Sequence, residues 1–186
     1  MTSNCGNCIS DCADAVAATR VPAGAARRDV LEKGFAMAHK VPESVLVVIH
    51  TPALDVLLIE RARHPGFWQS VTGSLDHPDE APLDTAIREV AEETGIDARL
   101  HRLRDWRQAD WFDIRPEWSH RYAPGVTRNL EHVFSLEIPA RLVVTLSPRE
   151  HRDQAWLPQA EAAARVFSPT NRDAILCLAQ RQAAII

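Results

Sequence analysis

The sequence predicts one α/β (α+β mixed) domain, with a mixed sheet held between helical layers. Three stretches carry that reading. Ser44 to His50 (SVLVVIH) and Leu54 to Glu60 (LDVLLIE) are apolar, β-branched runs flanking Thr51-Pro52-Ala53, the pattern of a hairpin near a sheet centre. Pro82 to Thr94 repeats apolar residues at spacings of three and four, as an amphipathic helix does. Pro169 to Ala183 repeats that pattern near the C-terminal end. Strands before and after one central helix, plus a terminal helix, imply a sheet with helices on both faces.

Residues 1–36 are rich in Ala, Asn, Ser, Cys and Arg and carry no strand signal, so they read as an extension ahead of a domain over 37–186. Met37 opens the segment that leads into the first strand and is the candidate for the authentic start, with residues 1–36 an extension that is natural or comes from misassigned translation. Cys5, Cys8 and Cys12 have C-x2-C-x3-C spacing, one ligand short of a structural zinc site. His39 and Cys177 are the candidates for a fourth ligand, and an unstructured Cys-bearing tail is the favoured reading. Phe67 to Val71 is a short aromatic strand. Ala98 to Arg104, Ala109 to Ile114 and Arg128 to Ile138 are further strand candidates, and Gln154 to Leu157 is a short strand stopped by Pro158. Gln159 to Val166 forms a short helix. The last helix is expected to be capped by Thr170 or Asn171 and to turn Ala174, Ile175, Leu178 and Ala179 inward.

With 46% apolar and 25% charged residues, a chain of 186 can bury one ordinary core. A formal charge of −4 argues against a general nucleic-acid binder. No apolar run reaches the ~18 residues of a membrane span, and the N-terminal residues lack the layout of a secretory signal. The cysteines do not form a disulfide framework and fit a reducing cytoplasm.

The central helix carries the chemistry. Pro82 suits its first turn and Gly95 the left-handed position just past its end. At about 100° per residue, Leu83, Ala86, Ile87, Val90 and Thr94 form one apolar stripe. Glu89, Glu92 and Glu93 fall on another side. Like charges one turn apart cost roughly 0.2–0.5 kcal/mol. A hard divalent cation removes that conflict, and Mg2+ prefers carboxylate oxygens together with water and phosphate. The alternative is a solvated acidic face, partly neutralised by Arg88.

Gly73, Arg88, Glu89, Val90, Glu92, Glu93, Gly95 and Ile96 resemble the Nudix box, Gly-x5-Glu-x7-Arg-Glu-U-x-Glu-Glu-x-Gly-U, where U is bulky and apolar. One position departs. Counting forward from Gly73, Asp79 stands where the box has Glu, and Glu80 comes one place late. The resemblance implies the Nudix α/β/α sandwich and Mg2+-dependent hydrolysis of a phosphoanhydride, with Mn2+ as the alternative ion. It implies Glu89 and Glu93 as direct metal ligands, with Glu92 assisting. Arg88 would orient a carboxylate, and Gly73 would let the backbone approach a metal-bound phosphate. Glu150, in SPREHRDQAWL, matches a family segment of Glu-His followed by Trp-Leu, which implies a third metal ligand or a general base. On residue chemistry alone it would be a solvated Glu beside Arg149 and Arg152.

Three more segments, KVPESVLVVI, FWQSVTGS and HRYAPGVTRN, resemble the Nudix members that release pyrophosphate from dihydroneopterin triphosphate in bacterial folate synthesis, also described as acting on dATP. The resemblance implies that substrate and a monophosphate product. A purine (d)NTP such as dATP is the alternative substrate, and a non-catalytic Nudix nucleotide-binding module is the alternative of another class. His120, Arg121 and Arg128 offer donors for phosphate. Tyr122 could stack on a flat ring, and Asn129 offers a donor and an acceptor to a ring edge. Packing under the loop for Tyr122, and plain surface charge for the arginines, are the competing readings. Trp68 is expected against the box helix. Trp106, Trp111 and Trp118 are expected to cluster with Phe112, and His64, His77 and His101 to be exposed. The expected partner is a small-molecule triphosphate, with no nucleic acid and no membrane. The chain is expected to act as a monomer or homodimer in the cytoplasm.

Overall fold

A computed structural model describes residues 39–183. The expected extension over 1–36, the Met37 start and Cys5, Cys8 and Cys12 lie outside the described residues. The strands are β1 (Glu43–His50), β2 (Asp55–Arg61), β3 (Trp68–Gln69), β4 (Val71–Ser74), β5 (Arg102–Asp113), β6 (Arg128–Glu137) and β7 (His151–Pro158). The helices are α1 (Pro82–Thr94), α2 (Gln159–Arg165) and α3 (Pro169–Ala183).

All seven strands join one mixed sheet with the path β3-β2-β1-β6-β5, to which β4 adds by pairing β1 and β7 by pairing β2. The β1–β6 pair is parallel, and the other pairs are antiparallel. β1 reads as a continuous apolar run because both of its faces are covered. Val45, Val47 and Ile49 pack with Ala86 and Val90 of α1. Leu46 and Val48 pack with Ala163 of α2 and Ile175 and Leu178 of α3. This is the expected sandwich, with the sheet between α1 on one side and α2 and α3 on the other.

Several local expectations change. The segment expected as a strand from Ala98 begins as a 3-10 turn over Ala98–Leu100. The two strand candidates that follow are one strand, β5, broken in register between Asp105 and Ala109, where Arg107 takes φ 52°. The aromatic strand splits at Ser70 into β3 and β4. Trp68 packs in the core beneath α2 and α3, not against α1, and Arg165 lies 4.2 Å over its ring. Trp106 enters that same core and donates to Ser135 Oγ, Trp111 is exposed, and Trp118 stacks near Phe167, so the tryptophans do not cluster. Leu83 and Ala179 are exposed rather than inward.

Thr170 and Asn171 lie within the first turn of α3 and spend their side chains on the sheet rather than on a cap. Asn171 Oδ1 accepts from Ser70 N–H (2.9 Å) and its Nδ2 donates to Ser70 Oγ (2.9 Å), all of it buried. This double bond ties α3 to the break between β3 and β4. Asn171→Ala leaves two buried groups of Ser70 unpaired. It should lower the unfolding free energy by about 1–3 kcal/mol, seen as a lower urea midpoint at unchanged slope.

Candidate active site

α1 ends where its sequence says it should: Gly95 takes φ 73° and its N–H reaches Ala91 O. Burial of Ala86 and Val90 sets the rotation of the helix. That rotation carries Glu89 and Glu93 inward toward β4, while Glu92 stays exposed. Glu89 packs so closely on β4 that a Cβ built on Gly73 would stand 1.8 Å from its Cδ. Only glycine fits there. Glu93, 4% exposed, accepts from Thr72 N–H of β4 (3.3 Å).

Arg88 holds the carboxylates apart. Its Nη1 donates to Glu89 Oε1 at 2.7 Å and lies 3.4 Å from Glu92 Oε2. Its Nη2 donates to the Ser74 carbonyl at 3.0 Å. Its Nε donates to Glu80 Oε1 at 3.3 Å. Burial works against the guanidinium charge, and Glu80 and Glu89 more than offset it. Glu80 thereby corrects the forward count. Asp79 is exposed, whereas Glu80 is half-buried and also accepts from Asp76 N–H. Burial pushes the Glu80 carboxyl up, and the Asp76 and Arg88 hydrogen bonds hold it below the usual value. Counted backward from Arg88, Glu80 keeps the seven-residue spacing. The box glutamate is present, and the loop after Gly73 is one residue longer.

Opposite α1, β7 brings His151 against Glu93, with Nε2 3.0 Å from Oε1. Among the described residues, both ring nitrogens of this buried histidine lack an aligned hydrogen-bond partner. Donor atoms of Glu93, Glu150 and His151 lie within 4.8 Å of one another. Glu150 is exposed, and its backbone carbonyl accepts from Ala62 N–H. Glu89, expected beside Glu93 and Glu150, stands outside that group, drawn to Arg88. His151 was quoted within the Glu-His segment but given no role; its pairing with Arg61 of β2 is what turns it inward.

The donor set, carboxylates with orphaned imidazole nitrogens, fits a divalent cation. Burial and then the Glu93 charge push the Glu89 carboxyl up to about 7 against the opposing Arg88. Burial pushes Glu93 up as well, opposed by His151.

Cations gather on the other side. Lys40 Nζ donates to Ser74 Oγ (3.3 Å). Its ammonium is held below its usual pKa by burial and by Arg121, with Glu89 opposing. Arg61 Nε donates to Gln69 Oε1, and its guanidinium is lowered by burial and Arg121, with Glu93 opposing. Neither Lys40 nor Arg61 was singled out from the sequence. Tyr122 is half-buried, its hydroxyl pushed up by burial with Arg121 and Ser74 opposing. Arg121 and His120 are exposed at the end of a 3-10 turn over Pro116–Arg121. Arg128 points elsewhere: it lies 5.3 Å over Trp111 and pairs with Asp113. Asn129 is buried and donates to Ser44 Oγ.

Two outcomes follow from this geometry. A carboxyl whose folded pKa exceeds its unfolded value holds its proton more tightly when folded. The stability from Glu89 is therefore complete below about 4.5 and lost as pH rises through about 7. In chelator, Tm should fall between about pH 5 and pH 8, and a divalent cation should raise Tm more at the higher pH than at the lower. Gly73→Ala displaces Glu89 and should weaken divalent-cation affinity about 10- to 100-fold by calorimetry, leaving far-UV circular dichroism unchanged.

The NUDIX domain family profile matches residues 40–177. The dihydroneopterin triphosphate diphosphatase of Escherichia coli (strain K12) is 42% identical over 140 residues, covering 74% of this chain and 91% of the relative. The Haemophilus influenzae protein of the same name is 39% identical over 142 residues, covering 75% and 88%. The solved structure of the E. coli dihydroneopterin triphosphate pyrophosphohydrolase superposes with a TM-score of 0.70 at 41% identity, covering 75% of this chain and 96% of that one. Family profile, long-range identity and fold converge, and this chain belongs to the Nudix hydrolase family.

Proposed function

We propose that the chain is a Mg2+-dependent pyrophosphohydrolase that converts dihydroneopterin triphosphate and water into the monophosphate and pyrophosphate, in the cytoplasm. The observation that carries this reading is 42% identity, across 74% of the chain, to a relative named for that substrate. The carboxylate group beside a cationic flank supports it.

Glu93, Glu150 and His151 would hold the cation, with Glu89 beside them in the grip of Arg88 and Glu92 assisting from the exposed edge. When bound, the ion neutralises phosphate charge and makes a coordinated water more acidic. Arg88 fixes the direction of the Glu89 carboxylate. Gly73 keeps the strand low enough for a phosphate to approach. Lys40, Arg61 and Arg121, with His120 at the rim, supply positive charge for the polyphosphate. The displaced pyrophosphate leaves along that flank. No helix among the described residues is long and apolar enough to cross a membrane.

Purified protein with Mg2+ and dihydroneopterin triphosphate should release pyrophosphate. Glu93→Gln should lower kcat by at least about 100-fold, the scale on which a preorganised electrostatic group acts. An unchanged rate would remove Glu93 from the metal site.

A further inference from the structure

The hydrolytic chemistry leaves two buried polar side chains without a task. Both lie on the α3 face of the sheet. Across the parallel β1–β6 pair, Ser44 is opposite Glu131 and Leu46 is opposite Val133. Leu46 and Val133 belong to the core under α3, so Ser44 and Glu131 share that face, and so does Asn129, two residues before Glu131. Ser74 joins them through its pairing with Ser44.

Asn129 is 0% exposed. Its Nδ2 donates to Ser44 Oγ (2.7 Å) and to the Leu130 carbonyl (3.0 Å), and the carbonyl settles which end of the amide is nitrogen. Among the described residues its Oδ1 has no partner. Glu131 is 6% exposed and accepts from Thr170 Oγ1 at 2.7 Å. Burial, opposed by that hydrogen bond and reinforced by Asp110, pushes its carboxyl up to about 7. A buried acceptor left unpaired is a standing cost, and a buried carboxylate is a larger one. Neither residue touches the carboxylates of α1.

We propose that Glu131 and Asn129 read the substrate ring, accepting hydrogen bonds from the adjacent 2-amino and N3–H donors of a fused 2-amino-4-oxopyrimidine. This rests on the pterin triphosphate reading and names the residues that would enforce it. Two acceptors from residues two apart on one strand face call for a ligand edge with two donors. A pterin presents them on one edge. Adenine presents a ring-nitrogen acceptor beside its amino group, which sets a lone pair against a lone pair. Phe112, opposite Asn129 in β5 and therefore on the same face, can cover the ring. The ring reaches Asn129 only as covering side chains move aside.

The reach is right. From β6 through β1 to β4 is two strand spacings, roughly 10 Å. That spans a pterin from its pyrimidine edge through the three-carbon side chain to the first phosphate. Lys40, bonded to Ser74, stands at the phosphate end of this path.

The test needs no variant to begin. Pterin and lumazine differ in carrying an amino or an oxo group at C2. As competitive inhibitors of the wild-type chain, pterin should bind at least about tenfold more tightly, the discrimination of one good paired contact. Glu131→Gln should erase that preference. It should also lower kcat/KM for dihydroneopterin triphosphate at least about tenfold more than for dATP. Equal inhibition by the two rings, or an equal fall for both triphosphates, overturns the proposal. If dihydroneopterin triphosphate is not hydrolysed at all, the substrate reading fails separately. The pterin–lumazine comparison, made against whichever triphosphate is turned over, still judges Glu131.

Discussion

The site depends on one guanidinium. Three glutamates within five residues of α1 would repel each other, and two of them are buried. Arg88 resolves this by taking Glu89 at 2.7 Å while anchoring itself to the Ser74 carbonyl and to Glu80. Because its fork can satisfy several acceptors at once in fixed directions, it ties the helix, β4 and the intervening loop together. The direction of Glu89, its contact with Gly73 and the loop's path all follow from that attachment.

β4 then divides the labour. Its alternation sends Gly73 toward α1 and Thr72 and Ser74 toward α3, so one short strand serves both faces. On the α1 face it receives the carboxylates. On the α3 face it presents hydroxyls to Gln69 and Lys40. Asn171 clamps the break just before this strand, which keeps the two faces in register. A ligand with an anionic tail and a flat head can therefore lie across the sheet, each end meeting different chemistry.

Much of this was legible in the sequence. Pro82 and Gly95 bracket α1, because one residue lacks an N–H and the other tolerates φ > 0. β1 and β2 were readable from unbroken apolar runs, and the carboxylate helix from its spacing. What escaped depends on pairing between distant segments. His151 gains its place from register with Arg61, and Glu131 gains its burial from β1 and α3. Periodicity does not encode either. The left-handed Arg107 has no residue signal, so one bulged strand reads as two. Trp68 shares the α3 face with Thr72 and Ser74, as plain alternation back from Gly73 requires, so its placement against α1 ignored a parity the sequence already held. Arg128 lies over Trp111 and pairs with Asp113, while the alternation of β6 gives its neighbour Asn129 to the α3 face.

The extra residue between Gly73 and Glu80 shows what kind of object the motif is. Both ends of that loop are pinned, one by the close packing of Gly73 on Glu89 and the other by the grip of Arg88 on Glu80. Residues 76–79 between them are exposed. Lengthening a pinned, solvent-facing loop by one residue changes its closure entropy by far less than 1 kcal/mol. Insertions and deletions are thus nearly neutral there, while the same change inside α1 would rotate Glu93 by about 100° out of the site. Linear spacing is informative only where the backbone is rigid. Across the loop the motif is defined by its endpoints in space, and a search that allows variable length there would recover chains that a fixed pattern discards.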